Sequence, residues 1–204
     1  MLLRGSLRLS FLSVLLLLAA VSLAAPQEKA AAHFHRGTAL YEKGELDRAI
    51  VEFREALRLH PNFPDAHSLL GLALARKGDL DGAIAQFREA MRLQPNAPGV
   101  HFGLGTALTQ KGDLDGAIAE FREAVRLQPD DAEAHFDLGT ALREKGKLDE
   151  AIVEYREAVR LQPENAQVHY DLGMTLAKKG RKDEAAREFA EAQRLDPKLK
   201  PPPK

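Results

Sequence analysis

The sequence predicts an all-α solenoid built from five stacked helix-turn-helix units. Pro61, Pro95, Pro129, Pro163 and Pro197 stand 34 residues apart, and Gly44, Gly78, Gly112, Gly146 and Gly180 keep the same step in another phase. Two punctuation marks that share one period five times define a repeat array. Composition agrees: 45% apolar and 29% charged residues with only 6% aromatic fit stacked amphipathic helices better than sheets. In such an array the 204 residues count units and do not measure a single enlarging core.

Residues 1–25 precede the array. Arg4 and Arg8 make a basic start, Leu9 to Ala20 is an apolar run, and Ser22-Leu23-Ala24-Ala25 offers small residues for cleavage. This order predicts a secretory signal peptide cut after Ala24 or Ala25. Leu9 to Ala25 is also 17 residues without a charge, the lower limit for a spanning helix, so an uncleaved N-terminal membrane anchor is the alternative. Periplasmic or other extracytoplasmic residence follows from the first reading, and inner-membrane attachment by residues 9–25 from the second. Cleavage would remove two of the 29 basic residues and none of the 30 acidic ones, leaving a net charge of −3. That balance gives no electrostatic footprint for nucleic acid. The chain has no cysteine, which excludes disulfides, thiolate metal sites and a thioether lipid anchor.

The units run 30–63, 64–97, 98–131, 132–165 and 166–199, and each divides at its glycine into two segments of helical period. In the third unit helix A spans Gly99 to Lys111, with Gly112 placed for a left-handed C-terminus. Helix B spans about Asp115 to Leu127, its apolar residues Ile118, Phe121, Ala124 and Val125 spaced by three and four, and Pro129 stops it. Asp47, Asp81, Asp115, Asp149 and Asp183 stand where helix B begins, the position of an amide-capping carboxylate. Asn62, Asn96, Asp130, Asp131 and Asn165 stand where they would cap the following helix A, with Pro64 and Pro98 in its first turn.

Small residues recur opposite large ones. Gly37, Gly71, Gly105, Gly139 and Gly173, with Ala49, Ala83, Ala117, Ala151 and Ala185, face Phe53, Phe87, Phe121, Tyr155 and Phe189, so paired helices approach while rings fill the gap. The pairs Glu55 and Arg58, Glu89 and Arg92, Glu123 and Arg126, and Glu157 and Arg160 are three apart on helix B and predict a solvated convex face.

These features together resemble the tetratricopeptide repeat: the 34-residue step, Leu70-Gly71, Leu104-Gly105, Leu138-Gly139 and Leu172-Gly173, the alanines, the helix B aromatic, a second alanine at Ala90, Ala124, Ala158 and Ala192, and the closing proline. The resemblance covers residues 30–199. It implies a right-handed αα superhelix whose A helices line a concave groove that binds other proteins. One position departs from the pattern, since histidine (His33, His67, His101, His135, His169) stands where an early helix A aromatic is usual. Family members that clamp a terminal carboxylate use lysine and asparagine along the groove. Aromatics and threonines stand in the matching places here, so that clamp is not expected.

Both ends of the array turn polar. Leu46, Leu80, Leu114 and Leu148 become Lys182; Ile50, Ile84, Ile118 and Ile152 become Ala186; Leu57, Met91, Val125 and Val159 become Gln193. These changes predict that the last helix caps the array, followed by a short basic, proline-rich tail, residues 200–204. Arg36 likewise replaces the leucine of later units.

No motif for catalysis, metal or cofactor emerges. Equivalent histidines of neighbouring units are about 10 Å apart, too far to share a zinc at about 2 Å, so each is expected to fill an interhelical slot, half-buried, with one ring nitrogen bonded. Gly103-Leu104-Gly105 follows no strand and lacks the context of a nucleotide loop. The expected partner is a protein or peptide, held by helix A positions that vary while the packing residues stay constant: Phe34, Thr38, Tyr41, Ser68, Leu72, Arg76, Phe102, Thr106, Gln110, Phe136, Thr140, Arg143, Tyr170, Met174 and Lys178. Phe34, Phe102, Phe136 and Tyr170 share one position, giving an aromatic row that lies along the groove or packs on the neighbouring A helix. The reading is a noncatalytic scaffold of the cell envelope. Its alternatives are the recognition part of an enzyme complex, as in the repeat region of O-linked N-acetylglucosamine transferases without their catalytic domain, and a structural homo-oligomer.

Overall fold

The computed structural model describes the backbone of residues 11–200 and side chains from residue 27. The side chains of the export segment expected over residues 1–25, and residues 201–204 of the tail, lie outside the described residues. The described residues form α1 (Phe11–Glu42), α2 (Leu46–Leu59), α3 (Pro64–Arg76), α4 (Leu80–Leu93), α5 (Pro98–Lys111), α6 (Leu114–Leu127), α7 (Ala132–Glu144), α8 (Leu148–Leu161), α9 (Ala166–Lys178) and α10 (Lys182–Leu195). Odd-numbered helices are the A helices and even-numbered ones the B helices of five units. The whole is a right-handed αα solenoid.

Each A helix ends on its glycine as the period predicts. Gly44, Gly78, Gly112, Gly146 and Gly180 all have φ between 77° and 84°, a region that costs any side-chain-bearing residue and not glycine. At Gly112 the turn is closed by the Gly112 amide donating to the Thr109 carbonyl and the Asp113 amide donating to the Leu108 carbonyl, each at 2.9 Å. The chain therefore reverses within about three residues, and A and B pack as an antiparallel pair.

The small-against-large pattern sets how closely the pair packs. A Cβ added at Gly105 would lie 2.8 Å from the Phe121 ring, and one at Gly139 would lie 2.9 Å from Tyr155. Phe87 is covered from the next unit as well, since a Cβ on Gly103 would meet it at 2.7 Å. Phe53, Phe87, Phe121 and Tyr155 are accordingly buried, whereas Phe189 in the last unit is only half-buried. The outer face of α10 is exposed at Lys182, Ala186 and Gln193, where the equivalent Ile152 of α8 is buried.

Three expectations about polar residues change. The aspartates at 47, 81, 115, 149 and 183 do not cap helix B, because each helix begins two residues earlier than they would require. The caps are Asp79 and Asp113, which accept from the Gly82 and Gly116 amides at 3.0 Å. Glu45, Lys147 and Arg181 occupy the same place elsewhere without a capping bond. Of these, Asp47, Asp81, Asp115 and Asp149 instead join consecutive units. Lys77 pairs with Asp47, Lys111 with Asp81 at 2.5 Å, Lys145 with Asp115 at 2.6 Å, and Lys179 with Asp149 at 2.7 Å.

Among the described residues only Asp131 and Asn165 cap helix A, each accepting two amides. Phe63 and Ala97 hold that place in the second and third units with no side-chain bond, and Pro64 and Pro98 follow them in the first turn. Proline has no amide to satisfy there, which reduces the need for a cap.

The recurring histidine is more buried and more fully bonded than expected. In His101, Nδ1 meets Glu120 Oε2 on its own helix B at 2.7 Å and Nε2 meets the Pro95 carbonyl of the preceding unit at 2.8 Å. His135 and His169 repeat this with Glu154 and Pro129, and with Glu188 and Pro163. His67 uses Gln86 and the Pro61 carbonyl. One imidazole thus ties helix A, helix B and the previous turn, a task no aromatic hydrocarbon could perform. His33 has no preceding turn to reach among the described residues and is correspondingly more exposed, its side chain at 24% against 7% for His101.

Candidate functional site

Curvature follows from which helices touch. Among the described residues the backbones of consecutive A helices approach along the array (α1 with α3, α3 with α5, α5 with α7, α7 with α9), whereas consecutive B helices meet only through long side chains, Arg122 with Glu150 and Arg156 with Glu184. The A helices therefore form the inner, concave side. On the outer side Glu55, Glu89, Glu123 and Glu157 each pair with the arginine three residues on. The hydrogen bond from that arginine holds each carboxyl below its ordinary range. This is the solvated surface that the spacing predicts.

The helix A positions expected to vary fall into three neighbourhoods. Between the first two units, the Arg76 guanidinium lies 4.9 Å over the Tyr41 ring, and Leu72 is 36% exposed beside half-buried Ser68. Between the third and fourth, Thr106, Gln110 and Thr140 line a cavity of about 200 Å³ with Thr109, Phe121 and Asp137. Between the fourth and fifth, Arg143, Met174 and Lys178 line one of about 540 Å³ with Glu144 and Ala177.

The aromatic row also has a packing role within each unit. Phe34, Phe102, Phe136 and Tyr170 are half-buried and tilt against the helix B ring of their own unit: Phe53 at 6.1 Å, Phe121 at 5.7 Å, Tyr155 at 5.8 Å and Phe189 at 5.6 Å. Phe34 also meets Phe63 at 4.7 Å. Each ring is thus held on one side by helix B while part of it stays accessible on helix A. Thr38 and Thr106, one turn on, donate their hydroxyls back to the Phe34 and Phe102 carbonyls at 3.0 Å.

Two acidic residues of the inner face were missed in the sequence. Asp137 and Asp171 share a unit position held elsewhere by His35, Leu69 and Gly103, a column with no period to mark it. Asp171 is buried and bonded: Gln167 Nε2 donates to it at 2.8 Å, and Arg143 Nη2 of the preceding unit lies 3.4 Å away. Arg143 also donates from Nε to the Tyr155 hydroxyl at 3.2 Å, and that hydroxyl lies 3.1 Å from Thr140 Oγ1. Burial raises the Tyr155 phenol above its usual range, although Thr140 and Arg143 oppose the shift. Asp137 has no side-chain partner among the described residues. Burial, then the charges of Glu133 and Asp131, push its carboxyl up to about 6.

Comparison with known families matches residues 15–62 and 36–98, and again 166–199, to models described as Tetratricopeptide repeat, and residues 105–142 and 139–180 to one described as TPR repeat. The chain belongs to the tetratricopeptide repeat family. This tetratricopeptide repeat chain also superposes on solved structures. With YrrB, described as "a TPR protein with an unusual peptide-binding site", it shares 26% identity over 87% of this chain and 92% of that one, at a TM-score of 0.75. With MamA 41-end from Desulfovibrio magneticus RS-1 it shares 26% identity over 83% and 96%, at 0.78. Another MamA structure, at 24% identity, covers 84% and 93% at a TM-score of 0.77 and supports the fold alone. No curated protein matches the sequence.

Proposed function

We propose that the chain is a noncatalytic interaction scaffold of the cell envelope, exported by residues 1–25, that holds an extended peptide or a partner helix along its concave face. One observation carries the reading. Packing residues of the A helices recur from unit to unit, while the side chains they turn inward change and line open cavities at two unit junctions. A surface built only for packing would repeat like the rest. The peptide-binding description of YrrB, a protein of the same fold at 26% identity, supports a peptide or protein as the partner.

Leu72 and Met174 present apolar area inward without forming the ring-on-ring core. The test is affinity capture from the envelope fraction with wild type and with Leu72→Asp plus Met174→Asp. The double variant is expected to keep its helical circular dichroism and lose the partner. The control is Val51→Asp plus Val153→Asp on the convex helices α2 and α8, where the valines are 63% and 62% exposed; it is expected to retain the partner. Retention by the inner-face variant overturns the groove reading.

A further inference from the structure

The Arg143–Asp171 pair shows how this fold neutralises a carboxylate at one inner-face position. The equivalent site one unit earlier has the carboxylate without its partners. Where Asp171 has Gln167, Asp137 has Glu133; where Asp171 has Arg143, Asp137 has Thr109; and where Arg143 finds the Tyr155 hydroxyl, the third unit has Phe121. Each change removes a donor or its brace. Asp137 borders the cavity of about 200 Å³ between α5 and α7, room for about six waters at about 30 Å³ each.

The walls of that cavity are acceptors. Thr106 Oγ1 donates its proton to the Phe102 carbonyl and Thr109 Oγ1 donates to the Gly105 carbonyl, each at 3.0 Å, which leaves both oxygens with lone pairs only. Gln110 contributes an amide that can turn its oxygen inward, and Thr140 a hydroxyl already engaged with Tyr155 at 3.1 Å. An unpaired carboxylate beside spent hydroxyls favours a planar, donor-rich cation over an anion or a neutral group.

We propose that this cavity receives one arginine side chain of the segment held in the groove, its guanidinium pairing with Asp137 as Arg143 pairs with Asp171. The assignment rests on the groove reading for its partner, but the pocket can be tested by itself. The probe is Nα-acetylarginine amide titrated into the full chain and followed by amide chemical shifts, beside the isosteric, uncharged acetylcitrulline amide and acetyllysine amide.

Arginine amide is expected to shift Thr106, Thr109, Gln110 and Asp137, citrulline amide to shift none of them, and lysine amide to bind more weakly. Asp137→Asn is expected to weaken the arginine probe about tenfold, the loss of one charge-assisted pair. Thr109→Arg, which rebuilds the Arg143 arrangement, is expected to abolish it while raising the melting temperature. Equal shifts from citrulline, equal binding of lysine, or arginine binding unchanged in Asp137→Asn overturns the assignment. If both Asp137→Asn and Thr109→Arg keep a partner that Leu72→Asp plus Met174→Asp loses, the groove stands and the arginine pocket falls. If all of these variants keep the partner, the groove reading falls and the titration alone decides the pocket.

Discussion

Asp137 is tolerated at a cost. Its ordinary value is 3.8 and the folded chain holds it at about 6. Between those values the folded chain keeps a proton that the unfolded chain has released, so stability is gained as pH falls through that window and the full penalty applies above it. Asp137→Asn removes the penalty. The variant is expected to melt about 2 °C above wild type near neutral pH, with the difference shrinking from about pH 6 downward and gone below about pH 3, where the wild-type carboxyl is protonated in both states. Scanning calorimetry at several pH values checks this, and a constant offset across the range would contradict it.

At the scale of the helices, the caps and the inter-unit ion pairs make separable contributions. Asp113 accepts an amide that nothing else satisfies, so Asp113→Ala is expected to lower stability by about 1 kcal/mol. Asp115, two residues on, meets only Lys145 at an exposed site, so Asp115→Ala is expected to cost about 0.5 kcal/mol or less. Urea midpoints of the two variants decide it; the reverse order would restore Asp115 as the cap. The contrast also marks what was legible in the sequence. Unit boundaries, the left-handed glycines and the glycine-to-ring packing are local and periodic, and the sequence displays them directly. A cap depends on where a helix starts to within a residue, and the 34-residue step is blind to a shift of two. The second bond of His101 was hidden for another reason, since its acceptor is the Pro95 carbonyl of a different unit. The contact of the aromatic row with the helix B rings was not legible because helix period reports which residues share a face, not which neighbour covers them. Asp137 and Asp171 escaped because they interrupt a column that had no pattern to break.

Across the described residues, the ties between units run only to the adjacent one: histidine to the preceding proline carbonyl, lysine to the preceding aspartate, and Gly103 to the preceding Phe87 ring. Stability in such an array is a sum over units and their shared faces. The central units have two such faces and α10 presents an exposed polar one, so amide exchange is expected to be slowest in α5 to α8 and fastest in α10. Exchange measured by mass spectrometry at peptide resolution tests this, and uniform protection from α2 to α10 would show a single cooperative block. The same neighbour-only wiring makes the protein a spring with discrete coils. Pulled from its two ends, it would yield in successive steps of one unit's length, with the last unit giving way first and the middle pair last.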